Sequence, residues 1–313
     1  PNPFHDLSDP PLKTAHIILS TSGSKNPKWV YLSKEAFLIS ARAVNEHIEA
    51  NVNDRWLIVL PTYHVGGLSI YARSFLSSSE TKVYQGKWDP RVFLESLRSC
   101  TLTSLVPTQL YDLVQLNSKP PASLRGVVVG GDKLDRALFD KARELSWPLY
   151  RSYGLTECSS QVATAKLNEW ELQVLPHVEV RLNETLQIQS KSLLTGYYTD
   201  QFYDPKIYGW FDTGDKAELN PFQILGRHHQ FKIGGELFSL PELQMKLDGM
   251  KGLYQAKILL EPDERLGHKL HLIHNHPTIE KVIAEFNVQT HPLTRIKSHE
   301  YFVKLPTNSL GKL

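Results

Sequence analysis

The feature that most constrains the fold of this chain is an alternation of short apolar runs with amphipathic segments through its first two-thirds. Apolar runs at residues 16–19, 56–60, 102–106 and 126–129 have the length and composition of buried strands. Helical spacing of apolar residues follows Ser33, where an N-cap is expected, and Asp89-Pro90 is a second helix start. Further helices are predicted at residues 67–77, 108–116 and 134–145. Strands and helices in alternation predict a largely parallel sheet covered by helices, which is an α/β fold.

The pattern changes after residue 178. Residues 178–182 and 185–189 alternate apolar and polar side chains around Asn183-Glu184, which predicts an antiparallel hairpin. After Arg227, a Gly-Gly turn at residues 234–235 precedes a helix at 241–247, a pair of strands and a helix at 279–286. We therefore predict a large domain at residues 1–226, with a mostly parallel sheet and a β-rich subdomain, and a small mobile α+β domain at residues 227–313.

Composition excludes several classes of protein. The 313 residues are 41% hydrophobic and 22% charged, which is ordinary for a globular protein. The net charge is +2, and the sequence lacks the basic run of a nucleic-acid-binding protein. No apolar run approaches the roughly 18 residues that cross a bilayer, and the first ten residues do not resemble a signal peptide. Cys100 and Cys158 form neither a disulfide framework nor a zinc motif. We predict a cytoplasmic protein, and a homodimer is an open alternative.

The segment STSGSKNPK at residues 20–28 follows a strand and precedes a helix. The hydroxyls of Thr21, Ser22 and Ser24, the backbone around Gly23 and the ammonium of Lys28 could converge on phosphate oxygens. A polar surface turn is the alternative, and the segment alone would favour it.

The segment LPTYHVGGL at residues 60–68 lies where a strand ends and a helix begins, which is the edge where open α/β sheets bind ligands. It contains His64, and nine residues later comes Arg73. If Arg73 points inward, it could form a bidentate pair with a second carboxylate of a substrate. A solvated helix arginine is at least as good an interpretation of Arg73 from the sequence.

Three further strings follow in order. Gly130, Gly131 and Asp132 end a buried strand, where glycines permit a flat ligand to approach the backbone closely. The string YGLTE begins at Tyr153 and Gly154, and DTGD ends at Asp215, followed by Arg227. The last string, PTNSLGK, ends at Lys312.

In this order and with these gaps, the strings resemble those of the acyl-adenylate-forming (AMP-binding) superfamily. The resemblance implies that Tyr153 stacks on adenine, that Thr156 reaches the α-phosphate and that Glu157 holds Mg²⁺. It also implies that His64 lies beside the substrate carboxylate. Asp215 and Arg227 would contact the ribose, and Lys312 would be the catalytic lysine of a C-terminal lid. ATP, Mg²⁺ and coenzyme A are the implied cofactor and substrates.

This sequence departs from the family pattern in several places. The phosphate loop is one residue shorter than usual, and Trp29 stands where a glycine usually follows. His228 lies nearest the position of the family's hinge residue, so domain alternation is predicted to be sensitive to pH. Only about twenty residues precede the phosphate loop, where family members carry more than a hundred. The sequence is therefore either a compact form or a fragment of a longer chain.

Within the superfamily, residues 153–162 and the Gly-Gly-Glu at 234–236 are most similar to the ligases that join 2-succinylbenzoate to coenzyme A in menaquinone synthesis. That likeness implies a dicarboxylate substrate, with Arg73 as its second anchor and Ser159, Ser160 and Gln161 around its ring. Two alternatives stay open: a ligase for another aromatic or fatty acid, and a nucleotide-binding remnant without turnover. A metal site at the histidines of residues 268–276 is disfavoured, since His271 and His274 face opposite sides of a strand.

Overall fold

The computed structural model describes residues 16–20, 28–227, 230–250 and 256–303. The chain divides into two compact units, residues 1–225 and 226–313. Within the described residues, no helix combines the length and apolar character needed to cross a membrane.

The first unit contains five helices among its described residues. They are α1 (Lys34–Ile48), α2 (Val65–Ser77), α3 (Pro90–Leu97), α4 (Pro107–Gln115) and α5 (Arg136–Glu144). Its strands begin with β1 (His16–Ser20), β2 (Trp29–Ser33), β3 (Arg55–Ile58), β4 (Glu80–Val83), β5 (Leu102–Leu105), β6 (Gly126–Val129), β7 (Leu149–Leu155), β8 (Ser160–Ala165) and β9 (Leu172–Val174). They continue with β10 (Glu179–Asn183), β11 (Thr185–Gln189), β12 (Gly196–Tyr198), β13 (Phe202–Tyr203), β14 (Phe211–Asp212), β15 (Asp215–Leu219) and β16 (Phe222–Arg227).

Strands β3 to β9 form one seven-stranded sheet in the order β4-β3-β5-β6-β7-β8-β9. Neighbours from β4 through β7 are parallel, and the pairs β7–β8 and β8–β9 are antiparallel. The parallel strands β5 and β6 are buried at every residue. Strand β6 therefore appears in the sequence as an uninterrupted apolar run, whereas in β5 the buried hydroxyl of Thr103 donates to Leu57 O at 2.8 Å. The predicted α/β class with a mostly parallel sheet is confirmed.

Helix starts follow the capping residues that the sequence offers. Ser33 Oγ accepts a hydrogen bond from Ala36 N at the start of α1, and Asp89 accepts from two backbone N–H groups of α3 ahead of Pro90 at the first helical position. The helix predicted at residues 134–145 begins later than expected, at Arg136, because Asp135 caps it.

The β-rich part of the first unit consists of small sheets. They have the orders β1-β2-β12-β13, β10-β11-β14 and β15-β16. The predicted hairpin pairs Glu179 with Gln189 through to Asn183 with Thr185, so Glu184 alone forms the turn, at φ 63°.

An ion pair between the buried Asp54 and the half-buried Arg125 joins the loop before β3 to the loop before β6. Arg125 Nε and Nη2 donate to the two carboxylate oxygens of Asp54 at 2.7 and 2.5 Å. Burial alone would raise the pKa of Asp54, but hydrogen bonds from Arg125, Asn51 N and Thr101 lower it below its usual value. The pair therefore favours the charged carboxylate and fixes the ends of two central strands.

The second unit has an α+β composition. Its described strands are β17 (Gln230–Ile233), β18 (Glu236–Ser239), β19 (Ala256–Asp263), β20 (Gly267–His274) and β21 (Ile296–Tyr301), and its helices are α6 (Leu240–Asp248) and α7 (Glu280–Gln289). Strand β20 pairs antiparallel with β19 and parallel with β21. Phe286 of α7 and Leu272 of β20 are fully buried in its core.

Candidate active site

The carboxyl ends of the parallel strands bring several predicted site residues to one edge of the sheet. His64 follows β3, Gly130 follows β6, and Tyr153 lies near the end of β7, which is the neighbour of β6. In open α/β sheets this edge is where ligands bind. Because β3, β5, β6 and β7 are successive neighbours in the sheet, motifs that are far apart in the sequence lie along the same edge.

The turn after β6 is built for close approach of the backbone. A Cβ at Gly130 would lie 2.5 Å from Ser152 Oγ on β7, and Gly131 has φ +85°, which L-residues rarely adopt. Asp132 accepts a hydrogen bond from Lys133 N at 2.7 Å. The backbone of the turn therefore favours glycine at 131, and a side chain at 130 would displace the Ser152 hydroxyl.

Tyr153 and Asp215 are hydrogen-bonded to each other. The phenol Oη of Tyr153 donates to Asp215 Oδ2 at 2.6 Å, and Asp215 is 8% exposed. This bond joins the residue predicted to stack on a base to the residue predicted to contact the sugar.

Thr156 and Glu157 lie in a 3-10 turn that follows β7 directly. Gly154 sits just before it, where a Cβ would lie 2.1 Å from Ser160 O. The Glu157 carboxylate accepts a hydrogen bond from Tyr197 Oη at 2.7 Å, and its carbonyl accepts from Leu194 N at 2.7 Å. The turn is thereby held at two points.

His64 occupies the N-cap position of α2, with its ring 4.6 Å from that of Tyr63. The first turn of the helix packs closely on the chain that follows β3. A Cβ at Gly67 would lie 2.4 Å from the carbonyl oxygens of both Leu60 and Pro61. Glycine at this position lets the helix cross the strand end and keeps His64 at the edge of the sheet.

Arg73 is buried in α2, and it is only 2% exposed. Its Nη2 donates to Ser160 Oγ at 2.9 Å, and its Cζ lies 5.7 Å from the Trp56 ring centroid. Its Nε and Nη1 have no hydrogen-bond partner within the described ranges. Burial lowers the pKa of Arg73 to about 10. The solvated alternative is therefore wrong.

The three residues predicted to surround the acid differ in their surroundings. Ser160 contacts Arg73, whereas Ser159 is fully buried and donates to Ser192 O at 2.8 Å. Gln161 is 4% exposed, its Oε1 accepts from Thr164 Oγ1, and its Nε2 has no partner among the residues described. The structure thus brings Ser160, but not Ser159, to the arginine.

The donor set fits a magnesium ion that is held together with phosphates. Mg²⁺ is typically bound by one or two carboxylates plus phosphate oxygens and water. Glu157 offers one carboxylate, and the described ranges contain no group of three or more His, Cys, Asp or Glu side chains that would form an all-protein metal site. On β20, His274 is bonded to His299 at 3.1 Å and His271 lies 3.6 Å from Glu261.

Several predicted residues lie outside the described residues. They are Thr21, Ser22, Gly23 and Ser24 of the phosphate segment, His228 and Lys312. Arg227 ends β16, but its side chain is not among those described. Lys28 is described, and it is exposed just before β2.

Cavity volume does not locate this site. Two cavities of about 460 and 230 Å³ lie along α1, and Arg42 and Glu46 line both. None of the predicted site residues lines either one. The hydrogen-bonded groups at the sheet edge converge on one place, as a binding site requires, and these two grooves do not include them.

Sequence reasoning missed Tyr197. It lies 40 residues after Glu157 in the chain, on a short strand of another sheet, and it is 6% exposed. A buried aromatic residue in a strand has the sequence signature of an ordinary core residue. Nothing in the sequence could have linked it to Glu157.

Comparison with known proteins places these features in a family. The sequence model of the AMP-binding enzymes matches residues 5–189. A 2-succinylbenzoate–CoA ligase of Lactococcus lactis is 26% identical over 335 aligned residues, covering 100% of this chain and 72% of that protein. The enzyme of the same name from Salmonella typhimurium is 30% identical over 268 residues, covering 83% of this chain and 57% of that protein.

Solved structures show the same fold. An o-succinylbenzoate CoA synthetase of Bacillus subtilis, bound to a product analogue, superposes with a TM-score of 0.78 at 23% identity, covering 95% of this chain and 67% of that one. Escherichia coli MenE bound to an OSB-AMS analogue gives a TM-score of 0.62 at 27% identity, covering 93% and 66%. The family match extends over more than half of the 313 residues. The chain therefore belongs to the AMP-binding enzyme family.

Proposed function

We propose that this chain is the core of an ATP-dependent acid–CoA ligase that adenylates 2-succinylbenzoate and transfers the acyl group to coenzyme A. The named relatives support the reaction class, and this chain spans 72% and 57% of the length of the two described above. The observation that carries the choice of acid is Arg73, a buried guanidinium with two donor nitrogens that find no partner in the described part of the chain.

A buried charge without a partner is costly, so an arginine of this kind calls for an anion. In the described ranges, no carboxylate forms an ion pair with Arg73. A second carboxylate on the substrate would supply acceptors for Nε and Nη1 in the fork geometry that guanidinium favours. A monocarboxylic acid would leave them unsatisfied.

The proposed reaction has two steps. A carboxylate oxygen of the acid attacks the α-phosphorus of ATP, and pyrophosphate leaves, which gives an acyl-adenylate. The thiol of coenzyme A then attacks the acyl carbonyl, AMP leaves with the bridging oxygen, and the thiol proton is released. Each step needs a held nucleotide and a held acid more than it needs a covalent partner on the protein.

The residues of this chain divide that work. Tyr153 and Asp215 hold the base and sugar, Gly130 and Gly131 let the base approach the backbone, and Thr156 donates to the α-phosphate. When bound, Mg²⁺ would neutralise charge on the phosphates, and Glu157 would hold it. His64 is placed to contact the reacting carboxylate. Lys312 completes the proposal as an ammonium that stabilises charge on the phosphoryl oxygens, an effect typically of about 3–4 kcal/mol.

The test is AMP release in the presence and absence of coenzyme A with 2-succinylbenzoate, benzoate and a medium-chain fatty acid. We expect release that depends on coenzyme A and is fastest with 2-succinylbenzoate. Equal or faster turnover of benzoate or the fatty acid would favour a ligase of other specificity. Nucleotide binding without AMP release on any acid would favour a remnant.

A further inference from the structure

We infer that Tyr197 is a positioning residue that fixes the Glu157 carboxylate for magnesium and, with its ring, fixes the ammonium of Lys28. This inference rests on the proposed function of the same site. It concerns a residue that the sequence alone would assign to the hydrophobic core.

The first observation is the bond to Glu157. Tyr197 Oη donates to Glu157 Oε1 at 2.7 Å, so Oε2 is the carboxylate oxygen that would bind a metal ion. A carboxylate whose one oxygen is held by a hydroxyl can bind a metal through the other in a fixed direction. Mg²⁺ demands near-ideal octahedral geometry, so the direction of each protein oxygen matters more than it does for a looser ion.

The second observation is that the Tyr197 side chain is held in place by packing. Tyr197 is 6% exposed, and its ring lies 5.6 Å from Tyr203 and 6.5 Å from Phe211. It lies on β12, where it pairs with Val30 of β2. The hydroxyl is therefore presented from a rigid strand, which is what a group that orients a metal ligand requires.

The third observation concerns the ring face. Lys28 Nζ lies 4.9 Å from the Tyr197 ring centroid, within the range of a cation–π interaction. Lys28 directly precedes β2, so the pairing of β2 with β12 sets this distance. One side chain thus holds a carboxylate by its hydroxyl and an ammonium by its ring. Both groups belong to the predicted phosphate and metal sites.

Tyr197→Phe separates the two contacts, because it removes the hydroxyl and keeps the ring. We expect the Kd of Mn²⁺, used as a paramagnetic substitute for Mg²⁺ in the presence of α,β-methylene-ATP, to rise about tenfold, which is the typical effect of losing a residue that orients a metal ligand. Free Mn²⁺ is counted by electron paramagnetic resonance. The affinity for the nucleotide at saturating metal should stay unchanged, since the ring still faces Lys28.

Tyr203→Phe is the matched control, because it removes a hydroxyl from the same aromatic cluster without touching Glu157. A positioning role further predicts that Tyr197→Phe has no additional effect in a Glu157→Gln background, while a role in folding alone would add to it. Equal Mn²⁺ affinity in the wild type and Tyr197→Phe, or an additive double mutant, would overturn the inference. Circular dichroism and Tm confirm that each variant is folded before the titration.

These outcomes distinguish the inference from the proposed function. A shifted Mn²⁺ affinity in a protein that releases no AMP would support Tyr197 and refute the ligase. An unshifted affinity in a protein that turns over 2-succinylbenzoate would refute Tyr197 alone. A wild-type protein that binds no metal–nucleotide complex would refute both.

Discussion

Replacing Arg73 with methionine should separate the cost of its buried charge to folding stability from its contribution to binding the substrate. Burial lowers the pKa of Arg73 from 12.5 to about 10. At about 1.4 kcal/mol for each pKa unit, the folded protein pays about 3 kcal/mol to keep this group charged. Folded and unfolded chains both carry the proton at pH 7, so the penalty is fully present there. It is relieved only as the pH rises through about 10 toward 12.5.

Methionine removes that penalty and the hydrogen bond to Ser160, which contributes about 1 kcal/mol. We therefore expect Arg73→Met to be as stable as the wild type or up to about 2 kcal/mol more stable in guanidinium unfolding. For 2-succinylbenzoate, kcat/KM should fall at least about thirtyfold, because removing one member of a buried charge pair costs about 2–5 kcal/mol. For benzoate, kcat/KM should change little.

Arg55→Met is the matched control, because Arg55 forms an exposed ion pair with Glu80. Its effect on stability should stay within about 0.5 kcal/mol, and its effect on both acids should be small. A loss of more than about 2 kcal/mol in Arg73→Met, with equal losses on both acids, would show that Arg73 serves the fold rather than the substrate.

Three further changes test other parts of the structure. Asp54→Asn should lower the free energy of unfolding by about 3 kcal/mol at pH 7, because it leaves a half-buried arginine without its charge partner. The pKa of Asp54 is lowered on folding, so this deficit should shrink as the pH falls below 3.8 in a series of urea titrations. Gly67→Ala should lower the free energy of unfolding by at least about 2 kcal/mol in the same urea titrations. Gly66→Ala is its control and should be tolerated, because the new Cβ would meet only a leucine methyl at 3.2 Å. Tyr153→Phe should raise the KM for ATP about tenfold, without changing the KM for the acid, because it removes the hydrogen bond to Asp215; an unchanged KM for ATP would contradict that coupling.

Local signals in the sequence were enough for the helices and for strands β3, β5 and β6 of the large sheet, whereas β7, β8 and β9 were not predicted. Ser33 and Asp89 cap helices where they were expected, because capping depends on residues three positions apart. Strand β4 was missed because all four of its residues are exposed, so it lacks the apolar pattern of a buried strand.

Long-range partners could not be predicted. The burial of Arg73 depends on Ser160, 87 residues away, and the bond from Tyr153 to Asp215 spans 62 residues. Periodicity along one helix cannot decide which face another strand will cover. The order of the motifs predicted which residues belong to the site, and the strand order shows why Tyr153 and Gly130 lie at the same edge of the sheet.

The central claim is that the nucleotide binds at the turn after β7. A crystal structure of the protein with AMP tests it most directly. We expect the base against the ring of Tyr153, the ribose hydroxyls within hydrogen-bond distance of Asp215, and the phosphate beside Thr156. AMP bound elsewhere, with these three side chains free of it, would contradict the account.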